Sequence, residues 1–526
     1  MTIKMPYSFF LVLFLVSPIL AAVAITDIEP TIFFPRQSND QELRQLYRVH
    51  IANDSGKEET IKIRFFVAGQ TVIEEDKTIK TNTDSMEVAI PEISSPAEAK
   101  CEIWDAAGEL LDSKQIPVVP QKKWKIFCAA VSHQDLGFID YYQRVRRHVR
   151  ENGIEKALEC CRLTDDWPED SKFRWTVETS EPVLRFINMY PPAMVAEFVR
   201  RLREGRIELG ALHNTISTEM AGYEVLARSF YNTNRYIVDQ LGIEPAKVAL
   251  INDVVGLTRS LPLYLKEAQI PYFMHGSNIP HCLAEVLKEP VFYWTSPDND
   301  QNAVLCRTDF YYSPNRLKAW TEEEIQKIVS RHGENSWKAD GLLAFDSEDF
   351  SVPSLSNSEN IHKWNQKWAY PRIINATFRM YFDDIRNQLS PSDINSYDKD
   401  APDAWADQDS TDAALLAKAR YVTEKIPAAE KFSTFAMTMS GGYPEKEIWQ
   451  AYNRLIMYHE HTNGGTDGGR PDYYETEKDM HRALVEEAEH FCEKAMNGAI
   501  EKISGPVKTD GDCLVVYNPL NWPRSD

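Results

Sequence analysis

Residues 126–142 read IFCAAVSHQDLGFIDYY, and this stretch constrains the fold more than any other. The apolar run from Ile126 to Val131 stops abruptly at Ser132-His133-Gln134-Asp135, and Gly137 and Phe138 follow. A run this short and this apolar fits a strand buried on both faces of a parallel sheet. Ligands of open α/β sheets sit beyond the carboxyl ends of the strands. His133 and Asp135 stand at such an end, two positions apart and so on one side of an extended segment. An imidazole and a carboxylate held together there suit a divalent metal such as zinc. The plain alternative is a turn in which Asp135 only holds its own backbone.

Two further segments complete a constellation. Residues 248–262 read VALINDVVGLTRSLP, an apolar strand that ends at Asn252-Asp253 and is followed by a glycine and a helical pattern. Residues 455–466 read LIMYHEHTNGGT, which places His461 at the end of a helical run before a glycine pair. Two histidines and two aspartates supply four protein ligands, and zinc coordination can expand when substrate oxygens join. Secondary candidates have structural explanations. Trp175 reads as core, Glu178 as a carboxylate that orients a ligand histidine, and Glu219 as a similar support. His213 and His275 read as satisfied structural groups.

The order of motifs resembles glycoside hydrolase family 38, the α-mannosidase family. SHQDLGF is similar to the motif in which a His-x-Asp pair precedes a glycine and an aromatic residue. INDVVGLTRSLP is similar to the strand-end motif whose Asp is both metal ligand and glycosidic nucleophile. FRWTVETS at 173–180, LREGRIELG at 202–210, LLAFDSEDF at 342–350, AWADQDSTDAALLAKAR at 404–420 and YNPLNWPRSD at 517–526 follow in the family's order. The resemblance spans about residues 124–526. It implies a retaining exo-glycosidase acting on terminal α-mannosides. His133, Asp135, Asp253 and His461 would be the zinc ligands and Asp253 the nucleophile. Asp349, directly before Phe350, would be the acid/base, with Asp346 and Glu348 competing for that role. Phe138 stands where the family stacks a Trp on the sugar. Thr462 replaces the sugar-gripping Asp of its His-His-Asp run, so both are read as substrate-facing. A retaining mechanism needs two carboxyl groups with different protonation states flanking the scissile bond.

Other readings use the same residues. One is a carbohydrate-binding protein that keeps the metal site without turnover. Another is a metal-dependent polysaccharide deacetylase, which would release acetate and no sugar.

The sequence predicts a multidomain α/β protein. Its 526 residues exceed one ordinary core. Residues 1–24 read as a signal peptide, with Lys4, the apolar run Phe9 to Ala21 and the small residues Ala22-Val23-Ala24. Export to a secreted or periplasmic location follows, with no membrane association after cleavage. Residues 25–120 alternate in short runs as a β-sandwich does. Residues 121–395 read as an α/β catalytic domain of seven-stranded type, 396–505 as a three-helix bundle, and 506–526 as the start of a C-terminal β domain that the chain truncates. A formal charge of -21 argues against nucleic acid and anionic membranes as partners; a carbohydrate substrate is what the family resemblance implies. The eight cysteines show no CxxC spacing, so a cysteine zinc site is not expected, and export would permit disulfides. Asn53 and Asn375 begin glycosylation sequons. The oligomeric state is not readable.

Overall fold

The computed structural model describes residues 22–37, 42–137, 142–254, 256–278, 291–297, 304–310, 316–331, 337–401, 412–462 and 471–525. The fold is a mixed α/β, multidomain one, and the chain separates into two compact units. The signal-peptide residues 1–21 and Phe138 lie outside the described residues. Among the described residues, no helix is long and apolar enough to cross a membrane.

The smaller unit holds residues 1–123 and 365–372. Strands β1 (Val23–Pro30), β3 (Arg44–Asn53) and β6 (Asn82–Pro91) form one antiparallel sheet. Strands β4 (Glu59–Val67), β5 (Gln70–Ile79), β7 (Ala97–Trp104) and β8 (Leu110–Val118) form a second, in the order β5-β4-β7-β8. Alternating residues such as Val49, Ile51, Ile61, Ile63, Phe65 and Ile103 fill one shared core. The period-2 pattern dictates this, since one-residue steps along a strand swap faces. The short β2 (Phe34–Pro35) pairs with β17 (Trp368–Tyr370), so the unit takes in a distant segment that the sequence map placed in the catalytic domain. The cleavage site expected after Ala24 falls inside β1, where Val23 and Ala24 pair with Asn53 and Ala52.

The larger unit is built on parallel strands. They are β9 (Lys125–His133), β10 (Trp175–Val177), β11 (Ile207–Leu209), β12 (Val248–Asp253), β13 (Tyr272–Ser277), β15 (Val304–Phe310) and β16 (Gly341–Asp349). Their spatial order is β16-β9-β10-β11-β12-β13-β15, the step from β11 to β12 being the parallel bridge between Gly210 and Val248. The edge continues through β14 (Val291–Trp294), antiparallel to β15, and β19 (Asn395–Tyr397), while β18 (Arg372–Ala376) pairs with β9. Both faces are covered. Val248 and Leu250 pack with Phe345 and the helix Phe378–Gln388. Ala249 and Ile251 pack with the helix Tyr223–Leu241 and with the three long helices Ala413–Ser440, Glu445–Tyr458 and Pro471–Ser504. Those three helices share this unit rather than standing apart as the separate bundle domain 396–505, because their apolar faces complete the sheet's core. Residues 506–525 form no strand, and Leu514 and Val516 are exposed, so the expected β opening is not formed there. It lacks a paired backbone and a buried face.

The described cysteines are free thiols, and all but Cys513 are buried. Asn53 is buried and donates to the carbonyls of Lys57 and Lys80, at 2.9 and 3.0 Å. Asn375 is buried and donates to Ser358 Oγ. Neither acceptor asparagine is accessible in the folded protein.

Candidate metal centre and carboxylate pair

The parallel register carries β9, β12 and β16 to one edge, where each ends in a polar residue. His133 is the last residue of β9, Asp253 the last of β12 and Asp349 the last of β16. His133 and Asp349 are direct register partners. His461 arrives from the other side, three residues beyond the helix Glu445–Tyr458. Its backbone N–H donates to the Thr215 carbonyl, and Ser217 N–H donates to the His459 carbonyl, at 2.9 Å each. The segment after β11 therefore pins the loop that carries His461.

The four residues expected to bind metal converge. His133, Asp135, Asp253 and His461 each offer a donor atom, all within 4.8 Å of one another. Asp135 Oδ1 lies 3.1 Å from His133 Nε2 and 3.0 Å from His461 Nε2, and the two imidazole nitrogens are 3.2 Å apart. Asp253 Oδ2 lies 3.6 Å from His461 Nε2 and 3.9 Å from His133 Nε2. Asp253 adopts φ 66°, a left-handed backbone that is rare for a residue other than glycine. Such positions recur where function demands an unusual geometry.

Each of the two clustered histidines is oriented from behind. His133 Nδ1 is hydrogen-bonded to Glu178 Oε1 at 2.8 Å, and His461 Nδ1 lies 2.7 Å from Glu460 Oε1. A carboxylate on Nδ1 fixes the ring so that the Nε2 lone pair faces inward, an arrangement typical of metal-binding histidines. The Nε2 atoms and two carboxylate oxygens thus form a mixed N/O donor set that fits a divalent cation such as zinc. Glu178 also accepts from Asn252 Nδ2 at 2.7 Å and from Gln134 N–H at 3.2 Å. A side chain at Gly210 would strike the Glu178 carbonyl, its Cβ lying 1.8 Å away, so only glycine allows this approach.

Charges follow from this packing. Burial works against ionisation of Asp135, but the two histidines outweigh it and hold its pKa below the ordinary range. Burial likewise opposes Asp253, and His461 and His133 prevail, so its pKa is lowered too. In the metal-free site, burial disfavours charge on His133 and His461, yet their carboxylate neighbours raise both well above the usual imidazole value. Asp349 behaves oppositely. Burial pushes it up to about 6, with Asp135, Asp253 and Glu178 adding repulsion and His133 opposing.

Strand alternation separates the three acid/base candidates. Asp346 pairs with Arg316 Nε at 2.6 Å and Glu348 with Arg316 Nη2 at 3.0 Å, so both lie on the opposite face of β16 from Asp349. Thr462 is buried beside His461. Its hydroxyl donates to the Leu136 carbonyl at 2.9 Å and contacts Glu460, so it braces the loop. Trp175 belongs to the core, and Glu219 is exposed. His275 is buried with Nε2 2.8 Å from the Val254 carbonyl, and burial lowers its pKa to about 4. His213 is likewise buried and lowered to about 4. Glu178 emerged from sequence as a supporting carboxylate. Glu460 did not, although its place directly before a ligand histidine was the available signal.

Comparison with known proteins places these features in context. The family model described as glycosyl hydrolases family 38 N-terminal domain matches residues 123–408. No curated protein matches the chain. Among solved structures, an alpha-mannosidase from Enterococcus faecalis V583 is similar at 16% identity and a TM-score of 0.53, over 71% of this chain and 43% of that one. A protein in the glycosyl hydrolase family 38, also from Enterococcus faecalis, is similar at 16% identity and a TM-score of 0.48, over 70% of this chain and 40% of that one. The chain therefore spans less than half the length of both.

Proposed function

Because the chain belongs to glycosyl hydrolase family 38, we propose that it is a metal-dependent, retaining exo-glycosidase that hydrolyses terminal α-mannosides. The observation that carries this reading is the shared strand edge. The cluster of His133, Asp135, Asp253 and His461 stands beside Asp349, the register partner of His133. A retaining glycosidase needs one ionised carboxylate and one protonated carboxyl near the same sugar. Asp253 and Asp349 differ in that sense.

Asp253 attacks the anomeric carbon while Asp349 gives its proton to the departing glycosidic oxygen, and a glycosyl ester forms on Asp253. Asp349, now a carboxylate, takes a proton from water. The water oxygen attacks the anomeric carbon, the ester bond breaks and Asp253 is released as a carboxylate. Asn278 Nδ2 donates to Asp253 Oδ1 at 2.6 Å and holds the nucleophile's plane. A divalent cation bound by the four ligands, with zinc the proposed ion, supplies a positive template for sugar hydroxyls. Phe138 remains the proposed contact to the sugar, whereas Thr462, its hydroxyl committed to Leu136 and Glu460, would act only through the loop it braces. Export, resting on residues 1–24, is part of the same proposal.

The test pairs metal content with nitrophenol release from a panel of aryl glycosides. The reading expects about one equivalent of metal per chain and cleavage of the α-mannoside. It also expects Asp253→Asn to abolish that cleavage in a folded protein. Metal without cleavage of any glycoside would favour a binding protein, and release of acetate from acetylated polysaccharide a deacetylase.

A further inference from the structure

A cavity of about 1050 Å³, apart from the histidine–aspartate cluster, opens in the larger unit. None of the metal-ligand residues and neither Asp349 nor Glu178 lines it. Its walls come from five helical segments, those carrying Arg146, Glu181 and Arg185, Tyr236, Trp449 and Asn453, and Met480, and from residues between helices such as His213. Its size is at the upper end of small-ligand sites.

Three properties restrict the occupant. First, exposed aromatic surface gathers at the rim. Trp449 is 40% and Tyr236 41% exposed, on different helices, and both line the cavity. Flat rings with an apolar body are suited to the C–H faces of a pyranose. Second, the floor is polar and buried. Glu181 is only 4% exposed. Its Oε1 binds Arg146 at 2.7 Å and Arg185 at 2.5 Å, while Oε2 has no hydrogen-bond partner. A buried acceptor left unmatched is costly, and a ligand hydroxyl would satisfy it without adding charge. His213 and Asn453 meet beside it, with Asn453 Nδ2 3.3 Å from His213 Nε2. Third, the lining has as many carboxylates as basic groups. A site for phosphate or another anion would carry an excess of positive charge.

We propose that this cavity is a second saccharide-binding site, which holds a neutral glycan by pyranose faces on Trp449 and Tyr236 and by a hydroxyl donated to Glu181. The choice of a glycan over other neutral polyols rests on the proposed glycosidase activity. Such a site would anchor a chain whose end is being cleaved elsewhere on the unit, and would leave small aryl substrates indifferent to it.

Affinity electrophoresis of the full chain in gels containing soluble α-mannan, α-glucan or galactan tests this. Wild type and Asp253→Asn should both be retarded by at least one polymer. Trp449→Ala and Tyr236→Ala, at exposed positions outside the core clusters, should each weaken retention by about tenfold. Their cleavage of aryl α-mannoside should stay within about twofold of wild type. Retention of both variants equal to wild type overturns the proposal, as does free migration of wild type in all three gels. Retention that is lost in the variants, from a protein that cleaves no aryl glycoside, would uphold this site and sink the proposed activity. Aryl α-mannoside cleavage without retention would do the reverse.

Discussion

Replacing Glu178 by Gln isolates how the proposed metal centre is held. The carboxylate is fully buried and receives three donors, from His133 Nδ1, Asn252 Nδ2 and Gln134 N–H. Glutamine keeps the shape but offers one acceptor oxygen, and its amide must face at least one of those donors with a donor of its own. A buried donor without an acceptor costs about 1–3 kcal/mol, so the metal-free variant should be less stable by about that much. The His133 ring also loses the negative partner that aims its Nε2 and raises its basicity. Removing such a partner weakens metal binding by about tenfold to a hundredfold, or about 1.4–2.8 kcal/mol. Chelator competition reads the affinity directly. Thermal unfolding with and without metal reads it independently, since at fixed free metal the metal-induced stabilisation shrinks by the same amount. Glu460→Gln should behave alike through His461. A Glu178→Gln protein that binds metal within about twofold of the parent would refute the argument that this carboxylate orients a ligand.

Asp349→Asn should lower turnover of substrates with poor leaving groups by about a hundredfold to ten-thousandfold and leave metal content unchanged. In the parent, kcat/KM should decline on the alkaline side as Asp349, pushed up to about 6, loses its proton, and a pH profile of the variant should lack that limb. For the metal-free protein, the raised histidines His133 and His461 contribute stability that is full below the unfolded imidazole pKa of about 6.5 and lost as pH rises through their folded values. The lowered Asp135 and Asp253 contribute stability present above the unfolded carboxyl pKa of about 3.9 and lost as pH falls through theirs. Chemical denaturation across pH should therefore show a maximum between those limits, whereas metal affinity should climb with pH as binding displaces the histidine protons. Ile251→Ala, at a fully buried position two residues before Asp253, should cost about 2–5 kcal/mol by denaturant titration.

What could be read from the sequence and what could not divide along the range of the interactions involved. His133, Asp135 and Asp253 were legible because a short apolar run that ends in a polar residue is a local signal, and the parallel register then brings such ends together. His461 was legible from a helical run that stops before glycines, although its position depends on backbone bonds to Thr215 and Ser217 far away in sequence. The segment 365–372 gave no hint that it belongs with the first strands, since its pairing partner Phe34–Pro35 is two residues long and has no periodicity to detect. The three helices at 413–504 had the right pattern but the wrong independence, because amphipathic faces show that a helix is covered and not what covers it. The separation of Asp349 from Asp346 and Glu348 needed only the alternation of β16 once one contact was known. Arg316 claims the first two, and a two-residue period then turns Asp349 toward His133. Glu460 lay outside any pattern argument, for the carboxylate that steadies a ligand histidine is recognised by where its oxygen lies. The site therefore has a division of labour: donor atoms sit at strand and helix ends, where local sequence writes them, and the carboxylates that aim them are set by tertiary packing. Exchanges at Glu178 or Glu460 should consequently change metal affinity while leaving all four candidate donor residues in place.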